Sequence, residues 1–414
     1  VTRESAGSRR VVVTGIGLAT PIGNDLRTVS SALRSDRHGI RVKPEWAEIR
    51  DLDTRLAAEV LDLDLTRYPR KKARTMGRVA LLATYATEQA VVEAGLDADT
   101  LSSGRVGLAY GSTHGSSSEF EGWCRTLFKN GGMTGLASTT YLKFMSHTCA
   151  ANLALYYGIR GRIVTTCSAC ASASQAIGYG SEMVRSGLMD VMVCGGAEEM
   201  HFTHAGVFGI MFATSRAYND RPGESPRPFD AKRDGLVIGE GAGTLVLESY
   251  ERARARGAHI HAEILGYGTN CDGTHVTSPS VSGMADAMRL ALRDAGLSPD
   301  QIEYVNAHAT ATEVGDIAES HAMLEVLGDK VPVSSTKGFT AHTLGACGAI
   351  EAAFCIAMMN EGWLAPNRTL TMVDPRCAPL DYVGRTPRDR RTSVVMTNNF
   401  AFGGINTSLI FGRV

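Results

Sequence analysis

At 414 residues the chain is too long for one small module, and about 150 residues per domain gives two or three units. Hydrophobic residues are 44% and charged residues 21%, an ordinary balance for a chain with a sizeable core. Lys plus Arg is 42 against 43 Asp plus Glu, so the net charge of −1 lacks the cationic field of a general nucleic-acid or membrane-surface binder.

Residues 1–9 read as a polar tail, without the apolar core of a signal peptide. Val11-Val12-Val13-Thr14-Gly15 predicts a buried strand closed by a glycine turn. A helical apolar pattern follows over 76–94, then strands at 106–110 and 163–166, a small-residue helix over 172–187 and a strand at 191–194. Strands alternating with helices predict an α/β fold with buried, mainly parallel strands. The second half repeats this order. Ala262-Glu-Ile-Leu-Gly-Tyr-Gly268 echoes Val11 to Gly17, and the segment around Asp294-Ala-Gly-Leu echoes the one around Glu93-Ala-Gly-Leu. One unit used twice therefore divides the chain into 10–255 and 256–414, and 112–148, which has no counterpart, reads as an inserted cap. Catalytic groups should then converge at the seam, from loops at the carboxyl ends of strands. The most apolar helical stretch, 349–359, is short and carries Glu351, so nothing is expected to span a bilayer. Nine scattered cysteines form no disulfide framework. These features predict a reduced, cytoplasmic enzyme.

Four segments carry chemistry. Thr165-Thr166-Cys167-Ser168-Ala169-Cys170-Ala171-Ser172 places cysteines between a strand end and a helix start. Free N–H groups and the helix dipole there favour an anion, which predicts a thiol pKa lowered toward neutrality. An inert buried cysteine, or a redox or half-zinc Cys167-x-x-Cys170, are the competing readings; no second Cys-x-x-Cys completes a zinc ribbon. His308 follows a strand, with Thr310 and Thr312 alternating beyond it and Asp316 further on. Lys337 and His342 lie in a loop opening onto a small-residue helix with Glu351, where a cation and an imidazole can hold developing charge or form a plain structural pair. Phe400-Ala401-Phe402-Gly403-Gly404 supplies backbone donors or only a tight turn. One Cys and two His, with a Lys nearby, suit acyl transfer through a thioester followed by stabilisation of an enolate.

Together these motifs resemble the β-ketoacyl-acyl-carrier-protein synthases, condensing enzymes of the thiolase superfamily. The resemblance also runs through Arg227-Pro-Phe-Asp-Ala-Lys-Arg-Asp-Gly and His275-Val-Thr-Ser-Pro279. It implies a thiolase-like fold of two similar halves layered α-β-α-β-α. It assigns the nucleophile to Cys170 rather than Cys167. His308 and His342 would support decarboxylation and bind the enolate oxygen, and Lys337, paired with Glu351, would orient the site. The N–H groups of Cys170 and Phe402 would form the oxyanion hole, with Phe402 gating the acyl pocket. Asp316 would support the site, and Thr310, Thr312, Thr277 and Phe400 would contact phosphopantetheine or substrate. Phe208, Met211 and Phe212 are candidate pocket walls. The resemblance implies no metal and no cofactor, substrates carried on acyl carrier protein, and a homodimer or a heterodimer with a chain-length-factor-like homologue. Ala309, Ala341 and Ala401 stand where the family usually has glycine, and Glu313 where it has proline. These departures predict an altered pocket or gate, and tilt the expected pathway from housekeeping fatty-acid elongation toward a type II polyketide or polyene system. A partner subunit without activity, or a thiolase, are the rivals; the intact Cys170, His308, Lys337 and His342 set argues against both.

Overall fold

The computed structural model describes residues 9–414, so the tail expected at 1–9 lies, but for Arg9, outside the described residues. The large sheet contains β1 (Val11–Ala19), β2 (Val106–Gly111), β3 (Ile163–Thr166), β4 (Val191–Glu198), β5 (Gly241–Ser249), β6 (Ala262–Cys271), β7 (Val305–Asn306), β8 (Pro332–Ser334), β9 (Asp381–Tyr382), β10 (Val394–Ala401) and β11 (Ile405–Gly412). Their spatial order is β9-β8-β7-β10-β11-β6-β1-β5-β4-β2-β3. From the central β1–β6 junction outward, each half runs through its strands in the same sequence, and the second half adds the edge strand β9. That junction is short and antiparallel, pairing Val12 with Glu263 and Val13 with Ala262.

The sheet is mixed, not mainly parallel as the sequence suggested. β4–β5 and β10–β11 pair antiparallel, the latter through the tight turn after Ala401, while β2 is parallel to both β3 and β4. Buried runs such as Val191–Glu198 look alike in either orientation, because both faces are covered.

Alternation along the strands explains the layers. Leu108, Tyr110, Val191 and Val193 pack with the helix Arg78–Glu93 in one core cluster, while Ala109, Met192 and Cys194 pack with the helices Ser172–Arg185 and Cys347–Glu361 in another. Leu409 and Phe411 of the second half join that same central cluster. The pair of small-residue helices is thus held between both halves, and the layers run α-β-α-β-α. Close approach is the reason for small residues: a Cβ on Gly348 would lie 2.1 Å from Ser174 Oγ. The apolar stretch is longer than the sequence suggested, since Leu344–Glu361 has the length and composition to cross a membrane, but 89% of it is buried inside the fold. It is a core helix.

Ala341 adopts φ 59°, ψ −170°, a region in which a Cβ costs on the order of 1–3 kcal/mol. Its methyl packs among Ile40, Leu56, Tyr218 and Val237, burial worth about 0.8 kcal/mol. Ala341→Gly should therefore keep or exceed the wild-type melting temperature. Ala353→Gly, in the core helix Cys347–Glu361, should lose roughly 1–2 kcal/mol in the same melts.

Candidate active site

β3 ends one residue before Cys167, and a 3-10 turn over Ala169–Ala171 then feeds the helix Ser172–Arg185. Ser172 fixes that turn: its Oγ accepts from Ser168 N at 2.9 Å and donates to Ala169 O at 2.7 Å. Ala169 takes φ 47°. The turn sets Cys170 at the wall of a cavity of about 230 Å³, with its Sγ 2.9 Å from His342 Nε2. Cys167 is exposed, and its Sγ donates to Thr113 O at 3.2 Å.

Lys337 and His342 are not in a plain loop, because Lys337–Thr340 forms one helical turn. Backbone clamps hold the imidazole that follows: His342 N donates to Val237 O, and Gly239 N to His342 O, both at 2.8 Å. His308 arrives from β7, and Glu319 fixes its loop. The two Glu319 oxygens accept from His308 N and Ala309 N at 2.7 Å each. The His308 and His342 rings meet edge to face, with centroids 5.1 Å apart at 87°. Among the described residues, Nδ1 of both rings is buried without a partner.

Behind the rings, outside the cavity lining, Lys337 Nζ donates to Glu351 Oε1, and both side chains are fully buried. Asn399 Nδ2 donates to the other oxygen, Oε2, at 2.7 Å. Burial opposes the Lys337 charge, but Glu351 outweighs it and holds the ammonium above the ordinary lysine value.

Burial pushes the Cys170 thiol up to about 12, with Lys337 opposing. It pushes His308 and His342 well below the usual imidazole value, and Lys337 adds to both shifts. This corrects the expected low thiol pKa: the helix N-terminus is present, but removal from water costs the thiolate more. Both shifts favour a neutral thiol beside a neutral imidazole. Alkylation of Cys170 by iodoacetamide, followed by fragment mass of the peptide that carries it to separate it from the exposed Cys167, should rise with pH through the range 6–9, because a raised pKa keeps the thiolate scarce until alkaline pH. A plateau starting near pH 7 would contradict this.

Cys170, His308 and His342 place ligand atoms within 4.8 Å of one another, a donor set that zinc accepts. On a tetrahedral zinc, however, sulfur and nitrogen ligands stand about 3.5 Å apart. The 2.9 Å Sγ to Nε2 contact is a hydrogen-bond distance, so the pair shares a proton.

Thr277, Thr310, Thr312, Phe400 and Phe402 line the cavity together with Phe208 and Met211. Phe402 leans on Phe208, ring centroids 5.5 Å apart, and the Thr310 and Thr312 hydroxyls are 3.2 Å apart. Phe212 turns away in a left-handed conformation, φ 55°, and is 80% exposed, so it is no pocket wall. Asp316 supports from outside the cavity, accepting from Ala311 N at 3.0 Å and Phe229 N at 2.8 Å. Of the departures, Ala309 and Ala401 line the cavity, whereas Ala341 belongs to a separate apolar cluster. Glu313 opens the helix Glu313–Leu327 and pairs with Arg376. Sequence reasoning missed Glu319, Cys347 and Asn399. Only Glu319 left a trace, three residues after Asp316 on a helix also buried at Ser320 and Met323.

Comparison with known proteins agrees with this architecture. Residues 8–253 match the beta-ketoacyl synthase N-terminal domain and 261–371 the C-terminal domain. The 3-oxoacyl-[acyl-carrier-protein] synthase 1 of Haemophilus influenzae is 37% identical over 406 residues, 98% of this chain and 99% of that protein. A beta-ketoacyl synthase crystal structure from Burkholderia phymatum is 51% identical, with TM-score 0.95 over 98% of this chain and 100% of its own. The ishigamide ketosynthase/chain length factor is 33% identical, with TM-score 0.91 over 99% of this chain and 100% of that one. A type II polyketide synthase acyl-carrier protein in complex with its ketosynthase, AntDE:AntF, is 29% identical, with TM-score 0.89 over 98% and 100% of the two chains. The chain has the thiolase-like fold and is an acyltransferase of the condensing type. The chain belongs to the β-ketoacyl synthase family.

Proposed function

We propose that this chain condenses an acyl group held on Cys170 with a malonyl group presented on acyl carrier protein, in a type II polyketide or polyene pathway. The observation that carries the chemistry is the 2.9 Å Cys170 Sγ to His342 Nε2 contact, edge to face with His308 at the wall of one cavity. Cys170 Sγ attacks the incoming thioester carbonyl while its proton passes to His342 Nε2 and then to the leaving phosphopantetheine thiol. The N–H groups of Cys170 and Phe402 hold the oxyanion. Malonyl thioester then enters, its C–C bond breaks, CO2 leaves, and His308 and His342 hold the enolate oxygen. The enolate carbon attacks the Cys170 thioester, the C–S bond breaks, and the released Cys170 thiolate takes one proton from solvent, relayed through His342. Because neither Nδ1 has a fixed partner, each imidazole is free to carry its proton on either nitrogen. His342 Nε2 can thus accept in the first half and donate in the second. Lys337, buried behind both rings, supplies positive charge toward the enolate.

Two features support the pathway reading. Ala309 and Ala401 line the cavity at positions where the family usually has glycine, and the ishigamide and AntDE:AntF ketosynthases share the fold at 33% and 29% identity. On the same reading the working assembly is a dimer, with itself or with a chain-length-factor-like homologue, and the site needs no cofactor. Fatty-acid elongation is the second reading, favoured by the full-length 37% match to 3-oxoacyl-[acyl-carrier-protein] synthase 1. A panel of acyl carrier proteins loaded with saturated, unsaturated and ketoacyl chains separates them. The polyketide reading requires unsaturated or ketoacyl preference; brisk turnover of saturated medium-length chains by this chain alone sinks it. In the same panel, Ala401→Gly should widen the range of accepted chains, because Ala401 packs directly with Cys170 and Ala171.

A further inference from the structure

One fully buried side chain connects the charged pair to the nucleophile. Asn399, on β10, donates from Nδ2 to Glu351 Oε2 at 2.7 Å and to Cys347 Sγ at 3.4 Å. Its Oδ1 accepts from Ser174 Oγ, one turn into the helix that follows Cys170. Cys347 Sγ in turn donates to the Cys170 carbonyl at 3.3 Å. Asn399 is 0%, Cys347 1%, Ser174 1% and Glu351 2% exposed, and none of the four lines the cavity. A chain of hydrogen bonds therefore runs from Lys337 through Glu351, Asn399 and Cys347 to the peptide of the nucleophile. Every member is out of water, where such bonds are least readily replaced.

We propose that Asn399 and Cys347 are positioning residues that hold Cys170 in register with Lys337 and the two imidazoles. The proposal deepens the condensing reading and rests on it for its turnover assays. Asn399 has three tasks: it takes the Glu351 oxygen that Lys337 leaves free, anchors the nucleophile helix through Ser174, and turns the Cys347 thiol toward the Cys170 carbonyl. A thiol is a weak donor, but here the carbonyl at the start of the helix has it as a neighbour inside an apolar cluster of Cys170, Ala171, Cys347 and Ala401. Displacing a reacting group by about 1 Å costs on the order of 10²-fold in rate, and one hydrogen bond of ordinary strength is worth roughly a factor of 5.

The test uses the full chain with Asn399→Ala, Asn399→Ser, Cys347→Ala and Cys347→Ser. Three quantities are measured: melting temperature, iodoacetamide alkylation rate of Cys170, and kcat and KM for condensation. Alkylation requires no carrier protein, so a wild-type enzyme that alkylates but does not condense would count against the condensing reading, not against the positioning. The expected result is a fall in kcat of about 10²-fold for Asn399→Ala and about 5-fold for Cys347→Ala, with KM unchanged because neither residue touches the cavity. The Cys170 alkylation rate should shift in parallel, and Cys347→Ser, which restores a donor, should recover most of the loss. Should Asn399→Ala fail to fold, Asn399→Ser and the Cys347 pair decide alone. Variants that melt earlier but keep wild-type kcat and Cys170 alkylation would overturn the proposal, as would a rise in KM at constant kcat, or a Cys347→Ser variant no better than Cys347→Ala.

Discussion

Lys337→Met should destabilise the protein by about 3–5 kcal/mol, the cost of leaving one buried charge without its partner. Lys337 and Glu351 are both essentially inaccessible to solvent, so Glu351 would lose its ammonium and retain only Asn399 Nδ2. A second change, Glu351→Gln, should restore most of that stability. It removes the stranded charge, and a Gln oxygen can still accept from Asn399. Activity should not return. In the double variant nothing supplies positive charge behind His308 and His342, and losing one such stabilising group costs about 10²–10³ in turnover. Urea titrations of wild type, single and double variants, paired with condensation rates, separate the two effects. A single variant as stable as wild type would show that the pair is not the buried ion pair described; a double variant with normal turnover would remove Lys337 from the mechanism.

The second large effect distinguishes the two histidines. Of the two, His342 is the one at hydrogen-bond distance from the nucleophile, 2.9 Å from Cys170 Sγ; a His308 ring nitrogen lies within 4.8 Å of it and the two rings meet edge to face. His342→Ala should slow formation of the acyl-enzyme by about 10²–10⁴, the usual worth of a positioned proton acceptor. It should slow malonyl decarboxylation as well. His308→Ala should still form acyl-enzyme at close to the wild-type rate, yet lose about 10²–10³ in decarboxylation and condensation, since it removes one enolate donor. Single-turnover acylation and CO2 release, measured separately, give the split. Equal loss of acylation in both variants would contradict the assignment of the proton transfer to His342.

The segments that carry the candidate site are legible in the sequence, because its groups sit at strand ends and helix starts that local patterns mark. The strand before Cys170, the strand before His308 and the glycine turn after Ala401 are each short-range signals, and the resemblance chose Cys170 over Cys167. What local pattern does not carry is burial. The helix start beside Cys170 argues for a depressed thiol pKa, but the surrounding core raises it to about 12. The same gap hid Asn399 and Cys347, which lie 48 and 4 residues from Glu351 in sequence, 399 minus 351 and 351 minus 347, and become partners only when β10 packs on the helix Cys347–Glu361. Met211 and Phe212 look equivalent as apolar neighbours, yet a left-handed backbone at Phe212 sends one to the cavity and the other to solvent. Strand direction escaped too, since a run of buried apolar residues reads alike in parallel and antiparallel pairs.

The central claim is that Cys170 carries the acyl chain and that a carbon–carbon bond then forms on it. The most direct test is the intact mass of the protein after incubation with acyl-loaded carrier proteins, with Cys170→Ala alongside, followed by addition of malonyl-loaded carrier protein. The account predicts a mass gain of one acyl group on the wild type and none on Cys170→Ala. On adding malonyl carrier protein, the label should leave the enzyme and reappear as a carrier-bound ketoacyl product. Acylation that persists in Cys170→Ala, or an acyl group released by malonyl carrier protein as free acid without a ketoacyl product, would contradict it.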